Sequence, residues 1–166
     1  MGPDLDIPEP LEGAYNADGS PVTVKFEGSR YFTWDHDTEK MLIDTTLEGE
    51  QNSDDPTVLT TYLIRALSDC VAKGKDDFML TLSSHGSGYA GFGGDNHVRK
   101  LGGVQSNASV VGAIRAALAA VADAPDRLNV LGFDACLMQA AGAADDYKGI
   151  TDYYLASEAT EPGHGK

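Results

Sequence analysis

Two side chains that could act together in catalysis each follow a short apolar run of the sequence. His85 comes after the run 78–82, and Cys136 comes after the run 128–133. A thiol becomes a strong nucleophile when a neighbouring base favours its thiolate form, and imidazole exchanges protons near neutral pH. Cys136 and His85 would therefore supply a nucleophile and a general base, provided that the fold brings them together.

The apolar patterns around these residues predict alternating strands and helices. The short apolar run 78–82, bounded by turn residues, is typical of a strand buried on both faces, and 128–133 reads as the next buried strand. A further strand is predicted over 153–157. Three stretches have helical patterning: one that starts at Pro56 after the N-cap candidate Asp55, one over 108–121 and one from 137 to about 147. This alternation predicts an α/β fold with a mainly parallel sheet and helices on its faces.

The predicted sheet would bring several functional groups to one edge. Right-handed crossovers place the carboxyl ends of parallel strands at the same edge, where ligands bind in open α/β sheets. His85, Cys136 and the pair Ser157 and Glu158 each follow a predicted strand. Neighbouring strands lie about 4.8 Å apart, so side chains at their ends can approach closely. The backbone amides of Gly86 and Cys136 are then candidate donors for an oxyanion hole.

Length and charge narrow the classes of partner. A chain of 166 residues with 42% hydrophobic residues suits one compact domain with an apolar core. The formal net charge of -14 argues against nucleic acid as a partner and favours cationic peptides or divalent metal ions. No apolar stretch is long enough to span a bilayer, so no membrane partner is expected.

The first residues bear on domain organisation and compartment. Residues 1–20 are acidic and rich in Pro and Gly, so we expect a tail there, a β-hairpin over 22–34, and a partial catalytic domain over 21–166. This start has neither the basic nor the apolar region of a signal peptide. We expect a soluble protein whose compartment stays open, because a leader could precede Met1 in a longer, secreted parent.

The other cysteine and the other histidines give weaker signals. Cys70 falls on the apolar face of the first predicted helix, which favours a structural thiol. His36 and His97 have no position comparable with that of His85. No pair of histidines or cysteines has the spacing of zinc ligands, so no structural metal site is expected.

Three segments resemble those of clostripain-like cysteine peptidases, which belong to the caspase-like clan CD. The histidine segment reads LSSHGSG at 82–88 and GFGGD at 91–95, the nucleophile segment reads FDACLM at 133–138, and the stretch after it reads YLASE at 154–158 and EPGHG at 161–165. The resemblance runs from about residue 30 to the last residue. It implies a caspase-like three-layer sandwich, incomplete at both ends, and a Cys136/His85 dyad that hydrolyses peptide bonds in an endopeptidase.

The resemblance also implies a substrate preference. Relatives prefer Arg or Lys on the acyl side of the scissile bond, and an acidic residue two positions before the nucleophile, here Asp134, helps to line the pocket for it. A carboxylate pairs well with a guanidinium or an ammonium group. Ser157, Glu158 and His164 fall in the stretch that completes the substrate site. His164 stands where the family commonly carries an acid, which weakens the case for a basic side chain.

Processing and calcium are two further implications of the resemblance. Family members are often latent precursors that are cut between the histidine and the cysteine, and Arg99 and Lys100 are the candidate autoprocessing site in a Gly-rich loop. The dyad chemistry needs no cofactor. Some relatives need calcium, and Asp35, Asp37 and Asp95 carry oxygen ligands of the right kind, but without the spacing of a dedicated calcium loop.

Two other classes of function stay open. The first is a catalytically inactive, caspase-like binding or scaffold module, or a truncated fragment. The absence of the strand and helix expected before the hairpin and the end of the chain at Lys166 support it, and the intact segments around His85 and Cys136 count against it. An acidic, cation-binding surface protein would explain the charge without chemistry at Cys136. Rapid alkylation of Cys136 but not of Cys70 would favour the enzyme over both.

Overall fold

The computed structural model describes residues 14–15, 20, 29–49, 51–94 and 104–161. The chain divides into two compact units, Met1–Gln51 and Asn52–Lys166. Apart from 14–15 and 20, the tail predicted over 1–20 lies outside the described residues, and so does the run 22–26 of the predicted hairpin. The domain boundary placed at residue 20 therefore stays a prediction.

The first unit contains a small sheet. An antiparallel hairpin forms its main part, and a short strand lies parallel to one edge of that hairpin. In the order of the sheet the strands are β1 (Ala14–Tyr15), β3 (Lys40–Gly49) and β2 (Ser29–Asp35). The predicted strand over 30–34 is present within β2, but its described partner is β3, in a stretch where the sequence pattern indicated no strand.

The second unit alternates helices and parallel strands, as the apolar patterns predict. Its sheet has the order β4-β5-β6, and all neighbours are parallel. Along the chain its elements are α1 (Pro56–Ala72), β4 (Met79–Ser83), a 3₁₀ turn (Gly88–Ala90), α2 (Asn107–Ala120), β5 (Leu128–Asp134), α3 (Ala141–Asp146) and β6 (Thr151–Leu155). The predicted α/β fold with a parallel sheet is confirmed.

Both long helices begin at side-chain caps. The Asp55 carboxylate accepts hydrogen bonds from Thr57 N at 2.8 Å and Thr57 Oγ1 at 2.7 Å, and Pro56 occupies the first helical position. The bond from the Thr57 hydroxyl, helped by the bond from its amide, holds the pKa of Asp55 below its ordinary value. Ser106 caps α2 by accepting from Ser109 N at 3.1 Å. These caps fix where each helix starts relative to the loops before it.

The core of the second unit is one apolar cluster that joins the sheet to α1 and α2. Its largest fully buried side chains include Leu131 in β5, Ile114 in α2 and Met138 after β5. Cys70 is half-buried and packs against this cluster, which agrees with a structural thiol. None of the helices in the described part of the chain is both long and apolar enough to cross a lipid bilayer.

The third predicted helix is shorter than its pattern suggests. Helical patterning runs from 137 to about 147, but the structure has a turn over 136–139 and a helix only over Ala141–Asp146. Leu137 has a φ of 62°, a left-handed conformation that no α-helix contains. The residues after the nucleophile candidate therefore form a turn, and the next section shows what holds it.

Candidate active site

His85 and Cys136 leave the sheet at the same level on neighbouring strands. Ser83 at the end of β4 pairs with Asp134 at the end of β5, and each candidate lies two residues further on. Ser84 N donates to Asp134 O at 3.3 Å, which continues the pairing one step beyond the strands. The sheet thus brings the imidazole and the thiol to the same edge, on adjacent chain segments.

The backbones of the two segments touch immediately after the strands. A Cβ on Gly86 would lie 2.2 Å from Cys136 O, 2.9 Å from Cys136 N and 3.0 Å from the Ala135 Cβ. Real Cβ atoms essentially never come within 3.0 Å of such atoms. Only glycine allows this approach, so Gly86 sets the spacing between the His85 loop and the Cys136 turn.

Backbone hydrogen bonds fix the loop that carries His85. Gly93 N donates to His85 O at 2.9 Å, so the loop closes on itself. Phe92 and Gln105 exchange two backbone hydrogen bonds, at 2.9 Å and 2.8 Å, which fasten the loop to the segment before α2. The side chain of His85 is exposed at the top of this loop. The backbone position of His85 is thus fixed while its imidazole can reach a ligand.

A second segment, the 157–161 strap, runs across the Cys136 turn. Leu137 N donates to Ala159 O at 3.0 Å, and Gln139 N donates to Ser157 O at 2.9 Å. The hydroxyl of Tyr154, in β6, adds a bond to Met138 O at 2.7 Å. These bonds fasten the backbone of residues 137–139 to the strap and so hold residues 136–139 as a turn.

The thiol of Cys136 makes its hydrogen bonds with this strap. Glu161 N donates to Cys136 Sγ at 3.1 Å, and Sγ also lies 3.7 Å from Glu161 O. Within residues 51–94 and 104–161 no hydrogen bond joins Sγ to the His85 imidazole. Catalytic hydrogen bonds are often long or absent in ligand-free enzymes and form only with substrate. The half-buried thiol is therefore held by a backbone donor, in a position to stabilise negative charge on sulfur.

An aromatic cluster surrounds Phe133, which lies three residues before Cys136 in the chain. The Phe133 ring lies 5.1 Å from Phe92, 5.0 Å from Tyr147 and 5.8 Å from Tyr154, measured between centroids. Burial raises the pKa of Tyr147 well above its ordinary value and that of Tyr154 to about 12. Both phenols stay neutral near pH 7 and act as hydrogen-bond donors. The cluster thus packs the His85 loop, β5 and β6 against one another.

Asn107 is a buried residue whose side-chain amide makes three hydrogen bonds, and nothing in the sequence pattern predicted this role. Its Nδ2 donates to Gly88 O at 3.2 Å and to Asp146 Oδ2 at 3.0 Å, while Oδ1 accepts from the Tyr147 hydroxyl at 3.0 Å. The residue is only 2% exposed, so every polar atom of its amide is used inside the protein. Asn107 therefore connects the loop that carries His85 to the start of α2 and the end of α3.

Of the other predicted substrate residues, some are exposed near the candidate site, one makes only local hydrogen bonds, and one lies outside the described residues. Asp134 is exposed at the same edge, where Ser83 Oγ donates to its Oδ2 at 3.0 Å. Glu158 is exposed on the strap. The Ser157 hydroxyl accepts from Ala159 N at 3.3 Å and bonds Ala159 O at 3.1 Å, so it shapes the strap locally. His164, Arg99, Lys100 and Asp95 lie outside the described residues.

The bond from Glu161 to sulfur leads to a prediction. Glu161→Pro removes the N–H donor, and we expect alkylation of Cys136 by iodoacetamide to slow about five- to tenfold, the effect of one lost hydrogen bond. Glu161→Gln keeps the amide and removes only the side-chain charge, so its rate should match the wild type. Mass spectrometry of the alkylated peptide measures both rates. A faster reaction in Glu161→Pro would show that the strap shields the thiol instead of activating it.

Comparison with known proteins identifies the family. The model of the clostripain family matches residues 4–166, a longer stretch than the resemblance from about residue 30. No curated protein and no solved structure matches the chain. Within the described ranges no group of three His, Cys, Asp or Glu side chains could hold a metal ion. With this match over nearly its whole length, on the caspase-like α/β fold that the sequence predicts, the chain belongs to the clostripain family of cysteine peptidases.

Proposed function

We propose that this chain is an endopeptidase that cleaves after Arg or Lys, with Cys136 as nucleophile and His85 as the proton-transfer group. The observation that carries the proposal is the shared register of the two residues: each lies two positions beyond the paired residues Ser83 and Asp134. The contact between Gly86 and the Cys136 backbone keeps the two segments at this spacing.

The proposed reaction uses groups that all lie at this edge. The Cys136 thiolate attacks the scissile carbonyl carbon, and the tetrahedral oxyanion accepts bonds from the amides of Gly86 and Cys136. The imidazolium of His85 then protonates the departing amine as the C–N bond breaks and a thioester forms. Water attacks the thioester, His85 takes its proton, and the thiolate leaves to release the acid.

The two proposed oxyanion donors are available for this task. Among the hydrogen bonds of the described residues, neither Gly86 N nor Cys136 N donates to another protein group. Buried or half-buried amides without an internal acceptor are uncommon, because most are paired in secondary structure. Two such amides on touching backbones favour an anion-binding role.

The preference for basic side chains is supported by the charges at the edge. Asp134 lies two residues before the nucleophile with its carboxylate exposed and oriented by Ser83. Glu158 adds a second exposed carboxylate on the strap, and the whole chain has a net charge of -14. A carboxylate near the acyl-side pocket binds guanidinium and ammonium groups. Peptide or protein substrates with basic residues are therefore the proposed partners, with no role for nucleic acid or membrane.

Processing and calcium also belong to the proposal. Cleavage next to Arg99 or Lys100 would follow from the enzyme's own preference for basic residues. Calcium, where it is needed, would draw on the carboxylates of Asp35 and Asp37; in the structure the Asp35 carboxylate accepts from Asp37 N at 3.0 Å and from Thr38 Oγ1 at 2.7 Å. The dyad chemistry itself needs no cofactor.

A panel of fluorogenic peptides tests the proposal. Peptides with Arg, Lys, Asp or Leu on the acyl side differ in the one contact that Asp134 is proposed to make, and we expect hydrolysis only with Arg and Lys. Iodoacetamide should stop hydrolysis as it labels Cys136, well before it labels Cys70. No cleavage of any peptide, with equal labelling of both thiols, would instead support an inactive binding or scaffold module.

A further inference from the structure

Tyr89 has the most exposed large apolar side chain in the described part of the chain. Its ring is 85% exposed and lies in the 3₁₀ turn Gly88–Ala90, within the loop that carries His85. Leu137, which directly follows Cys136, is also exposed, at 38%. Apolar side chains in water contribute little to the stability of a fold. Their places beside the two proposed catalytic residues indicate a contact with a ligand instead.

Hydrogen bonds hold the turn that carries Tyr89. Gly91 N donates to Gly88 O at 3.2 Å, and Ser87 N donates to Gly91 O at 2.9 Å. The Gly88 carbonyl also accepts from Nδ2 of the buried Asn107 at 3.2 Å. The backbone at Tyr89 is therefore fixed, so a ligand that binds to the ring does not first have to order the turn.

The same turn lies directly against the residues that follow the nucleophile. A Cβ on Gly88 would lie 3.3 Å from Leu137 O and 3.8 Å from Leu137 Cβ. A Cβ on Gly142, in α3, would lie 3.9 Å from Tyr89 Cβ. Tyr89 and Leu137 therefore belong to chain segments that touch, and we call these two exposed side chains the Tyr89 patch. The patch lies beside Cys136 at the edge of the sheet.

Asp134 and the Tyr89 patch lie on opposite sides of the sheet edge. Side chains alternate between the two faces along a strand, so Asp134 points away from the face on which Phe133 packs against Tyr147 at the end of α3. The turn with Tyr89 lies on the Phe133 side, because it contacts both α3 and the start of α2. Cys136 thus has a carboxylate on one side and an apolar surface on the other.

We propose that the Tyr89 patch binds a large apolar side chain, aromatic or aliphatic, on the amine side of the scissile bond. The inference rests on the proposed peptidase function, in which Asp134 takes the basic side chain on the acyl side. Neighbouring side chains of an extended peptide point in opposite directions. A peptide with its acyl-side residue at Asp134 and its carbonyl at Cys136 therefore directs its next side chain towards the patch. That side chain buries apolar area against the tyrosine ring.

The experiment compares internally quenched peptides that share Arg on the acyl side and differ only in the next residue, which is Phe, Leu, Gly or Asp. We expect kcat/KM for the Phe and Leu peptides to exceed that for the Gly peptide about five- to tenfold, as for one partly buried apolar side chain. The Asp peptide should be no better than the Gly peptide, because a carboxylate gains nothing on an apolar surface. Tyr89→Ser should reduce the Phe-to-Gly ratio to about twofold or less, whereas Tyr89→Phe keeps the ring and should keep the ratio.

Tyr153→Ser is the matched control, since it removes an exposed ring from β6 and should leave the Phe-to-Gly ratio at the wild-type value. Calorimetric titration of Cys136→Ala with the same peptides measures the patch without turnover. In that variant the Phe peptide should bind about five- to tenfold more tightly than the Gly peptide.

The outcomes separate this inference from the proposed function. Cleavage after Arg with equal kcat/KM for all four peptides, or an unchanged ratio in Tyr89→Ser, would overturn the patch and leave the peptidase function intact. No cleavage of any peptide, with tighter binding of the Phe peptide to Cys136→Ala, would overturn the peptidase function and support the patch. No cleavage and equal binding of the Phe and Gly peptides would overturn both.

Discussion

Replacing Cys136 with alanine is expected to abolish hydrolysis of Arg and Lys peptides, with a fall in kcat of at least about 10⁴-fold. Cys136 is the proposed nucleophile, and the proposed oxyanion donors alone would leave only a small residual rate. Because the side chain is half-buried and truncation removes a single sulfur, the fold should persist. Measurement of kcat and KM with the fluorogenic peptides, alongside a melting curve, separates loss of chemistry from loss of structure.

Cys70→Ala is the control for this prediction. Cys70 packs against the apolar core from α1, so its truncation should cost about 1 kcal/mol of stability and leave kcat/KM within about twofold of the wild type. Retained hydrolysis in Cys136→Ala would exclude the proposed nucleophile. Loss of hydrolysis in Cys70→Ala with an unchanged melting curve would point to the other thiol.

The strands of the second unit could be predicted from the sequence because each is a short apolar run. The predicted runs 78–82 and 128–133 agree with β4 and β5 to within one residue. The third run, 153–157, is offset, since β6 covers Thr151–Leu155. The run 78–82 was expected to be buried on both faces, but this prediction is wrong: β4 alternates exposed and half-buried residues, and Met79 is 65% exposed. In β6, Tyr153 and Leu155 are 72% and 63% exposed. The residues after it instead turn into the strap.

Tertiary contacts explain where local patterns failed. Residues 137–140 have helical patterning, but Leu137 and Gln139 donate their amides to Ala159 and Ser157 across the Cys136 turn. Those partners are about 20 residues away in the chain, and no local propensity contains that information. The strand β3 was missed for a different reason: its many polar residues leave only a weak alternation of apolar side chains, so its pairing with β2 could not be predicted.

The site itself was predictable only in part. Residue types identify Cys136 and His85, and their positions after strands predict a common edge. The donor to sulfur is the backbone of Glu161, and a backbone amide has no residue-type signature. Asn107 follows the cap Ser106 at the start of a helix, where a polar residue is ordinary. Its role depends on Gly88 and Tyr147, which only the folded chain brings to it.

Gly86→Ala is expected to reduce hydrolysis by at least about 10³-fold and to lower the melting temperature by several degrees. The added methyl carbon would lie 2.2 Å from Cys136 O and 2.9 Å from Cys136 N, both of which are backbone atoms that cannot rotate away. The His85 loop and the Cys136 turn must move apart, which displaces both proposed oxyanion donors and lengthens the path between imidazole and thiol. Values of kcat/KM, melting temperature and near-UV circular dichroism measure the two effects.

Gly112→Ala provides the matched control for this substitution. Gly112 is exposed within α2, and a Cβ there would meet nothing within 4 Å. Alanine has the higher helix propensity, so this variant should gain about 0.5–1 kcal/mol of stability and keep its kcat/KM. Wild-type activity and melting in Gly86→Ala would contradict the contact between the two backbones. A large loss of kcat/KM in Gly86→Ala with a modest change in melting temperature would place its effect at the catalytic edge, because a general packing defect would lower both together.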